Sequence, residues 1–213
     1  MEITAEKIMQ QLSAGTQVAG VIAVFGEEGY YKDKIAAALP RAVFGDAAPE
    51  DREITVFERD TDIKEVSAAV NTYPFFSGRS LVIIKDEKLW GGKDGGEKRK
   101  QQQEELAELL ADVPEHCQVL LLGEKIDKRG KLYKSLLKTA AMVECKSLKS
   151  YQLKPWLDEQ AALRGCRFDY EASQTIMEYL SVTDNAPLLL LALTLLVSVS
   201  ALPVTAHAGG SKD

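Results

Sequence analysis

Short apolar runs separated by helix-spaced segments constrain this chain more than any other feature. Val21-Ile-Ala-Val-Phe25, Ser80-Leu-Val-Ile-Ile84 and Gln118-Val-Leu-Leu-Leu122 show almost no polar alternation. Runs of that length and character read as strands covered on both faces. Glu53-Ile-Thr-Val-Phe57 and Ala141-Met-Val-Glu-Cys145 read as two further strands. Between them lie helical patterns. Thr4 caps a helix running to about Ala14, with Ile3 packing on Ile8 as a staple. Tyr30 to Leu39 is a helix stopped by Pro40. Asp60 or Thr61 caps a helix that carries Ile63, Val66 and Val70 on one face. Gln101 to Ala111 is helical ahead of Pro114, and Asp127 to Thr139 is a basic amphipathic helix. This alternation predicts a doubly wound, mainly parallel, five-stranded α/β domain over residues 1–146.

From Leu148 the strand signals stop. Tyr151 to Leu163 reads as a helix with Pro155 near its first turn and Gly165 as the glycine that ends it. Tyr170 to Leu180 reads as a second helix. A small helical domain is therefore expected over residues 147–192, with an atypical apolar tail over 193–213.

The charge balance narrows the function classes. A net charge of −6 argues against an electrostatic nucleic-acid binder. No basic stretch followed by an apolar run opens the chain, so no signal peptide is read there. Cys117, Cys145 and Cys166 are odd in number and lack CxxC spacing, which fits reduced, packed thiols of a cytosolic protein. His116 and His207 belong to no ligand-like cluster, and no metal site is expected.

Phe75 and Phe76 stand out. They fall in Asn71-Thr-Tyr-Pro-Phe-Phe-Ser-Gly-Arg79, between a predicted helix and a predicted strand. Pro74 and Gly78 mark a turn, and a turn at the sheet's rim can hold side chains outside the sheet. Two aromatics there would make an anchor for a pocket on another protein. The simpler alternative is that both rings cap the local core. Lys85 to Lys100, with glycine pairs at Gly91 and Gly95, reads as a loop. Lys98, Arg99 and Lys100 make it locally basic, a solvated face or a phosphate contact.

A sheet domain followed by a helical lid is the layout of AAA+ ATPases. In those, the turn after the first strand is a phosphate-holding loop, GxxxxGK[ST]. Here that turn reads Gly26-Glu-Glu-Gly-Tyr-Tyr31. It has no Lys-Thr pair, and Glu27 and Glu28 would repel a triphosphate. Val119-Leu-Leu-Leu-Gly-Glu124 lacks an Asp-Glu pair of Walker B type. No nucleophile–base set and no paired carboxylate motif is found either. The expectation is a chain with no catalytic residues and no cofactor. The alternative is a nucleotide- or phosphate-binding α/β enzyme that uses Gly26–Gly29 as an atypical anion turn.

These residues together resemble the delta subunit of the bacterial DNA polymerase III clamp loader. The resemblance rests on Val24-Phe-Gly-Glu-Glu-Gly-Tyr30, on Pro74-Phe-Phe-Ser-Gly-Arg-Ser-Leu-Val-Ile-Ile84, on Leu120-Leu-Leu with Ile126-Asp-Lys-Arg129, and on Trp156-Leu with Gly165. It covers roughly residues 1 to 190. It implies an AAA+-like protein without an ATP site, itself non-catalytic although the holoenzyme is a nucleotidyltransferase. Such a subunit binds the ring-shaped sliding clamp (the beta subunit) and opens it for loading on primed DNA. Two adjacent hydrophobic residues plug a pocket on the clamp, and here they correspond to Phe75 and Phe76, with Pro74 and Gly78 holding the turn. The implied partners are the clamp, the gamma/tau and delta prime subunits, and DNA indirectly through the complex.

The family continues past the lid into a helical collar domain, which this chain does not show. Leu188 to Leu202 is instead an apolar stretch between Pro187 and Pro203. At about 15 residues it is shorter than the roughly 20 needed to span a bilayer. A frameshift or truncated reading frame is the preferred explanation. A partner-covered helix or a membrane-tethered adaptor are the alternatives.

Overall fold

The computed structural model describes residues 1–16, 18–90, 96–146, 150–162 and 167–182. Gly165, Cys166, His207 and the whole 193–213 tail lie outside the described residues. The chain divides into two compact units, Met1–Ser147 and Leu148–Asp213.

The first unit is built on five parallel strands: β1 (Val21–Phe25), β2 (Glu53–Phe57), β3 (Ser80–Ile84), β4 (Cys117–Gly123) and β5 (Ala140–Glu144). Their order in the sheet is β2-β3-β4-β1-β5. Every pairing is parallel, with Val21 opposite both Val119 and Ala140, Ser80 opposite Cys117, and Glu53 opposite Ser80. The doubly wound α/β expectation is met, and the sheet is parallel throughout.

Period-two alternation within the strands sorts side chains between two cores. On one face Ala23, Ile84, Val119, Leu121 and Met142 are buried with Val66, Leu106 and Leu136 of helices α3 (Ile63–Asn71), α5 (Gly96–Leu109) and α6 (Lys131–Thr139). On the other, Ile22, Val24, Leu81, Leu120 and Val143 meet Ile8 of α1 (Ala5–Ser13) and Ile35 and Leu39 of α2 (Gly29–Phe44). Helices on both faces explain why the central strands are apolar almost throughout, with Ser80 and Gln118 the polar exceptions near their starts.

The two sheet edges differ. Beside β5, Met1–Ile3 adds a short parallel bridge, with the Ile3 N–H donating to Met142 O and the Met142 N–H donating to Met1 O, both at 2.9 Å. On β2, Ile54, Thr55 and Val56 are exposed. The open edge strand is therefore the one whose first residue, Glu53, lies beside the start of β3.

Several local expectations are corrected. Helix α2 runs through Pro40 to Phe44, four residues past the expected stop. Pro40 forfeits one helical hydrogen bond, but Leu39 and Phe44 are buried on either side of it and keep the segment seated. Helix α3 is capped by Asp62, whose carboxylate accepts from the Lys64 N–H at 2.9 Å, and not by Asp60 or Thr61. Thr61 is buried and its N–H is engaged by the buried Asp86 carboxylate at 2.9 Å. The basic helix expected from Asp127 begins at Lys131, because the Asp127 carboxylate accepts from the Arg129 N–H in a turn. The segment 85–100 is not simply a loop: α4 spans Glu87–Trp90, with Leu89 and Trp90 buried, and α5 begins at Gly96.

The second unit contains α7 (Ser150–Ala162) and α8 (Tyr170–Val182), which pack on each other. Trp156, Leu157, Ala161 and Ser173 are buried. The Asp169 carboxylate accepts from the Ala172 N–H at 2.7 Å, a cap on α8. Pro155 sits inside α7, past the first turn where it was expected, so it forfeits a helical hydrogen bond.

Candidate functional site

In a parallel sheet the strand starts and strand ends form two opposite rims, and this sheet treats them differently. At the strand-start rim, α3 ends at Asn71, and the Thr72 hydroxyl donates to Ala68 O at 2.7 Å. The chain then turns through Tyr73 to Arg79 before β3. Tyr73 lies on the His116 ring, 5.1 Å between centroids. Pro74 is buried. Phe75 and Phe76 point outward, 90% and 70% exposed, with their rings edge to face at 5.6 Å. The core-capping alternative is thereby removed. Leaving two phenylalanines in water forgoes about 2 kcal/mol of burial for each ring. With exposed Tyr73 they form an aromatic patch, the kind of surface that marks an interaction site.

The turn holding the rings is locked from three sides. The Glu53 carboxylate oxygen Oε1 accepts from the backbone N–H of Phe75 and, at 3.2 Å, from that of Phe76. The Ser77 hydroxyl donates to Arg79 O at 2.7 Å. Gly78 takes φ +65°, a left-handed conformation that a side chain would strain. The Ser80 N–H then donates to His116 O at 2.8 Å and the chain enters β3.

At the strand-end rim, the turn after β1 faces a cleft of about 400 Å³ lined by Gly26, Glu27, Glu124, Lys128, Glu144 and Lys146, among others. A phosphate loop would aim its free N–H groups and a lysine into such a space. Here the chain satisfies those groups itself. Glu28 caps α2, its carboxylate accepting from the Tyr30 N–H at 3.0 Å, where an anion would otherwise sit. Lys32 donates to Gly26 O at 2.7 Å and to Gly123 O at 3.5 Å. The turn is stitched to the end of β5: the Glu28 N–H donates to Cys145 O at 3.2 Å, and the Cys145 N–H donates to Phe25 O at 2.7 Å. Gly26 adopts φ +132°, and a Cβ there would lie 1.9 Å from the Cys145 carbonyl oxygen. The turn is closed by packing as well as by charge.

The ionisable groups of this rim follow from that packing. Burial pushes the Cys145 thiol up to about 11, against the opposing pull of Lys32. Burial also raises Glu144, but hydrogen bonds from Lys128 and Lys146 outweigh it and hold the carboxyl below its usual value. The Lys128 contact is 2.8 Å and the Lys146 contact 3.1 Å. Lys128 and Lys146, two of the lysines that line the cleft, are thus occupied with the protein's own Glu144 carboxylate.

Lys98, Arg99 and Lys100 lie in the first turns of α5 rather than in a loop, with Lys100 exposed and Arg99 half-buried. Sequence reasoning missed Glu53, whose role depends on the β2–β3 register. It also missed that Glu28 and Lys32 close the strand-end turn.

Residues 25–146 match the family described as DNA polymerase III, delta subunit. This stretch spans more than half of the chain and includes both turns. The chain belongs to the DNA polymerase III delta subunit family. Among curated relatives, DNA polymerase III subunit delta of Bacillus subtilis (strain 168) is 30% identical over 135 residues, covering 62% of this chain and 39% of that protein. Among solved structures, the Bacillus subtilis DNA clamp loader delta protein superposes with a TM-score of 0.65 at 24% identity, over 80% of this chain and 51% of that one. That likeness shows a shared fold. The chain spans about half or less of the length of these delta relatives.

Proposed function

We propose that this chain is a clamp-loader delta subunit that binds the sliding clamp and opens its ring for loading on primed DNA. In this reading Phe75 and Phe76 are the plug, and Pro74 roots it in the domain. The supporting observation is the pair of rings held out in solvent by a fixed turn in a member of this family. Aromatic anchors entering a partner pocket carry much of the energy of an interface. Opening a ring demands no chemistry of the opener. It demands only tighter binding to the open ring than to the closed one, which shifts the population towards the open form. The chain is accordingly non-catalytic, and the ATP-dependent work falls to gamma/tau subunits, with delta prime completing the loader. DNA is met through the complex. Residues 1–146 are the clamp-binding domain and 147–192 the lid.

The test is a titration of the full chain against the sliding clamp, beside the Phe75→Ala/Phe76→Ala variant, with circular dichroism on both. Binding by the parent and loss of binding by an equally folded variant supports the reading. A folded parent that does not bind the clamp, or a variant that binds as well as the parent, overturns it.

A further inference from the structure

We infer that Glu53 is a positioning residue for the aromatic turn: its carboxylate, shared by the N–H groups of Phe75 and Phe76, holds both rings in their outward, docking-ready arrangement. This rests on the reading of that turn as the docking element. The inference starts from an oddity of the edge strand. Glu53 begins β2, yet its side chain serves backbone that lies more than twenty residues further along the chain, at the end of the α3–β3 connection. The link is made by the parallel register, which sets Glu53 opposite Ser80, just beyond the turn.

Two adjacent backbone N–H groups converging on one carboxylate oxygen form a small anion nest. The turn offers those two donors because its peptide planes are aligned by buried Pro74 on one side and left-handed Gly78 on the other. Hydrogen bonds to an ionised acceptor are stronger than neutral ones. In their absence the two N–H groups would face water, and the turn would sample other conformations. The rings themselves are too exposed to be fixed by packing, so the backbone beneath them is where their direction is set. Order established before binding removes a cost that otherwise falls on association. Glu53 does not need to touch the partner to matter. It acts through Phe75 and Phe76.

Two arms test this. The first needs no partner: NMR amide exchange at Phe75 and Phe76 in the full chain, in the parent and in Glu53→Ala and Glu53→Gln. Slow exchange of both amides in the parent, at least about tenfold faster exchange in Glu53→Ala, and partial return in Glu53→Gln is expected, since the amide oxygen of glutamine still accepts. Equal exchange in parent and Glu53→Ala overturns the positioning role whatever the clamp does. The second arm is a binding cycle with the sliding clamp. Glu53→Ala weakens binding about tenfold when the phenylalanines are present and changes nothing in the Phe75→Ala/Phe76→Ala background, because it acts only through the rings. An equal loss in both backgrounds shows Glu53 contacting the partner directly and contradicts the inference. If the parent fails to bind the clamp, the proposed function fails, while the exchange arm still decides the role of Glu53.

Discussion

The two rims of the sheet solve opposite problems with the same residue type. At the strand ends, Glu28 turns its carboxylate onto the first turn of α2, the place where a helix N-terminus would otherwise receive an anion. At the strand starts, Glu53 turns its carboxylate onto a turn and keeps two aromatic rings open to solvent. One glutamate caps a helix start with the protein's own charge, and the other holds the backbone beneath two solvent-exposed rings.

The comparison can be broken most sharply at the strand-start rim. Phe75→Ala/Phe76→Ala should weaken clamp binding about a thousandfold, or roughly 4 kcal/mol, as measured by calorimetric titration. Its thermal midpoint should stay close to the parent's, because exposed side chains contribute little to stability. Gly26→Ala tests the closed rim. The clash with the Cys145 carbonyl and the φ of +132° should cost about 3 kcal/mol in urea melts. Clamp binding should be unchanged at temperatures where the variant is folded.

Cys145 offers a smaller probe of the same closure. Its thiol is raised to about 11, so the folded state favours the neutral form. That contribution is complete below the unfolded-state value near 8.5 and is lost as pH rises towards 11. The parent should therefore lose about 3 kcal/mol more than Cys145→Ala between those limits. Equal losses would show an open, solvated rim. The smallest expected effect is that of ATP with magnesium, which should leave the thermal midpoint of the chain unmoved. A shift that grows with ATP concentration would restore the anion-turn alternative.

Much of this architecture was legible because burial leaves a direct imprint on sequence. The runs at Val21, Leu81 and Val119 are apolar at successive positions since helices cover both faces of those strands. The aromatic turn was legible from Pro74 and Gly78, which fix backbone locally. The misread points are those where a distant group decides. Pro40 lies inside a helix because buried Leu39 and Phe44 hold it there, and the cap of α3 falls to Asp62 while distant Asp86 binds the Thr61 N–H. Trp90 is buried in a segment that reads as polar loop, since neighbouring glycines and lysines mask a single short helix. Glu53 was illegible for the same reason. Nothing in Glu53-Ile-Thr-Val-Phe57 signals which strand lies beside it.

The most direct measurement compares the two rims in one experiment: amide hydrogen exchange of the full chain with and without the sliding clamp. New protection confined to Tyr73–Arg79 and absent from Gly26–Lys32 is the predicted result. Protection at Gly26–Lys32 with none at Tyr73–Arg79 would place the docking surface on the rim described here as closed, and would contradict the account.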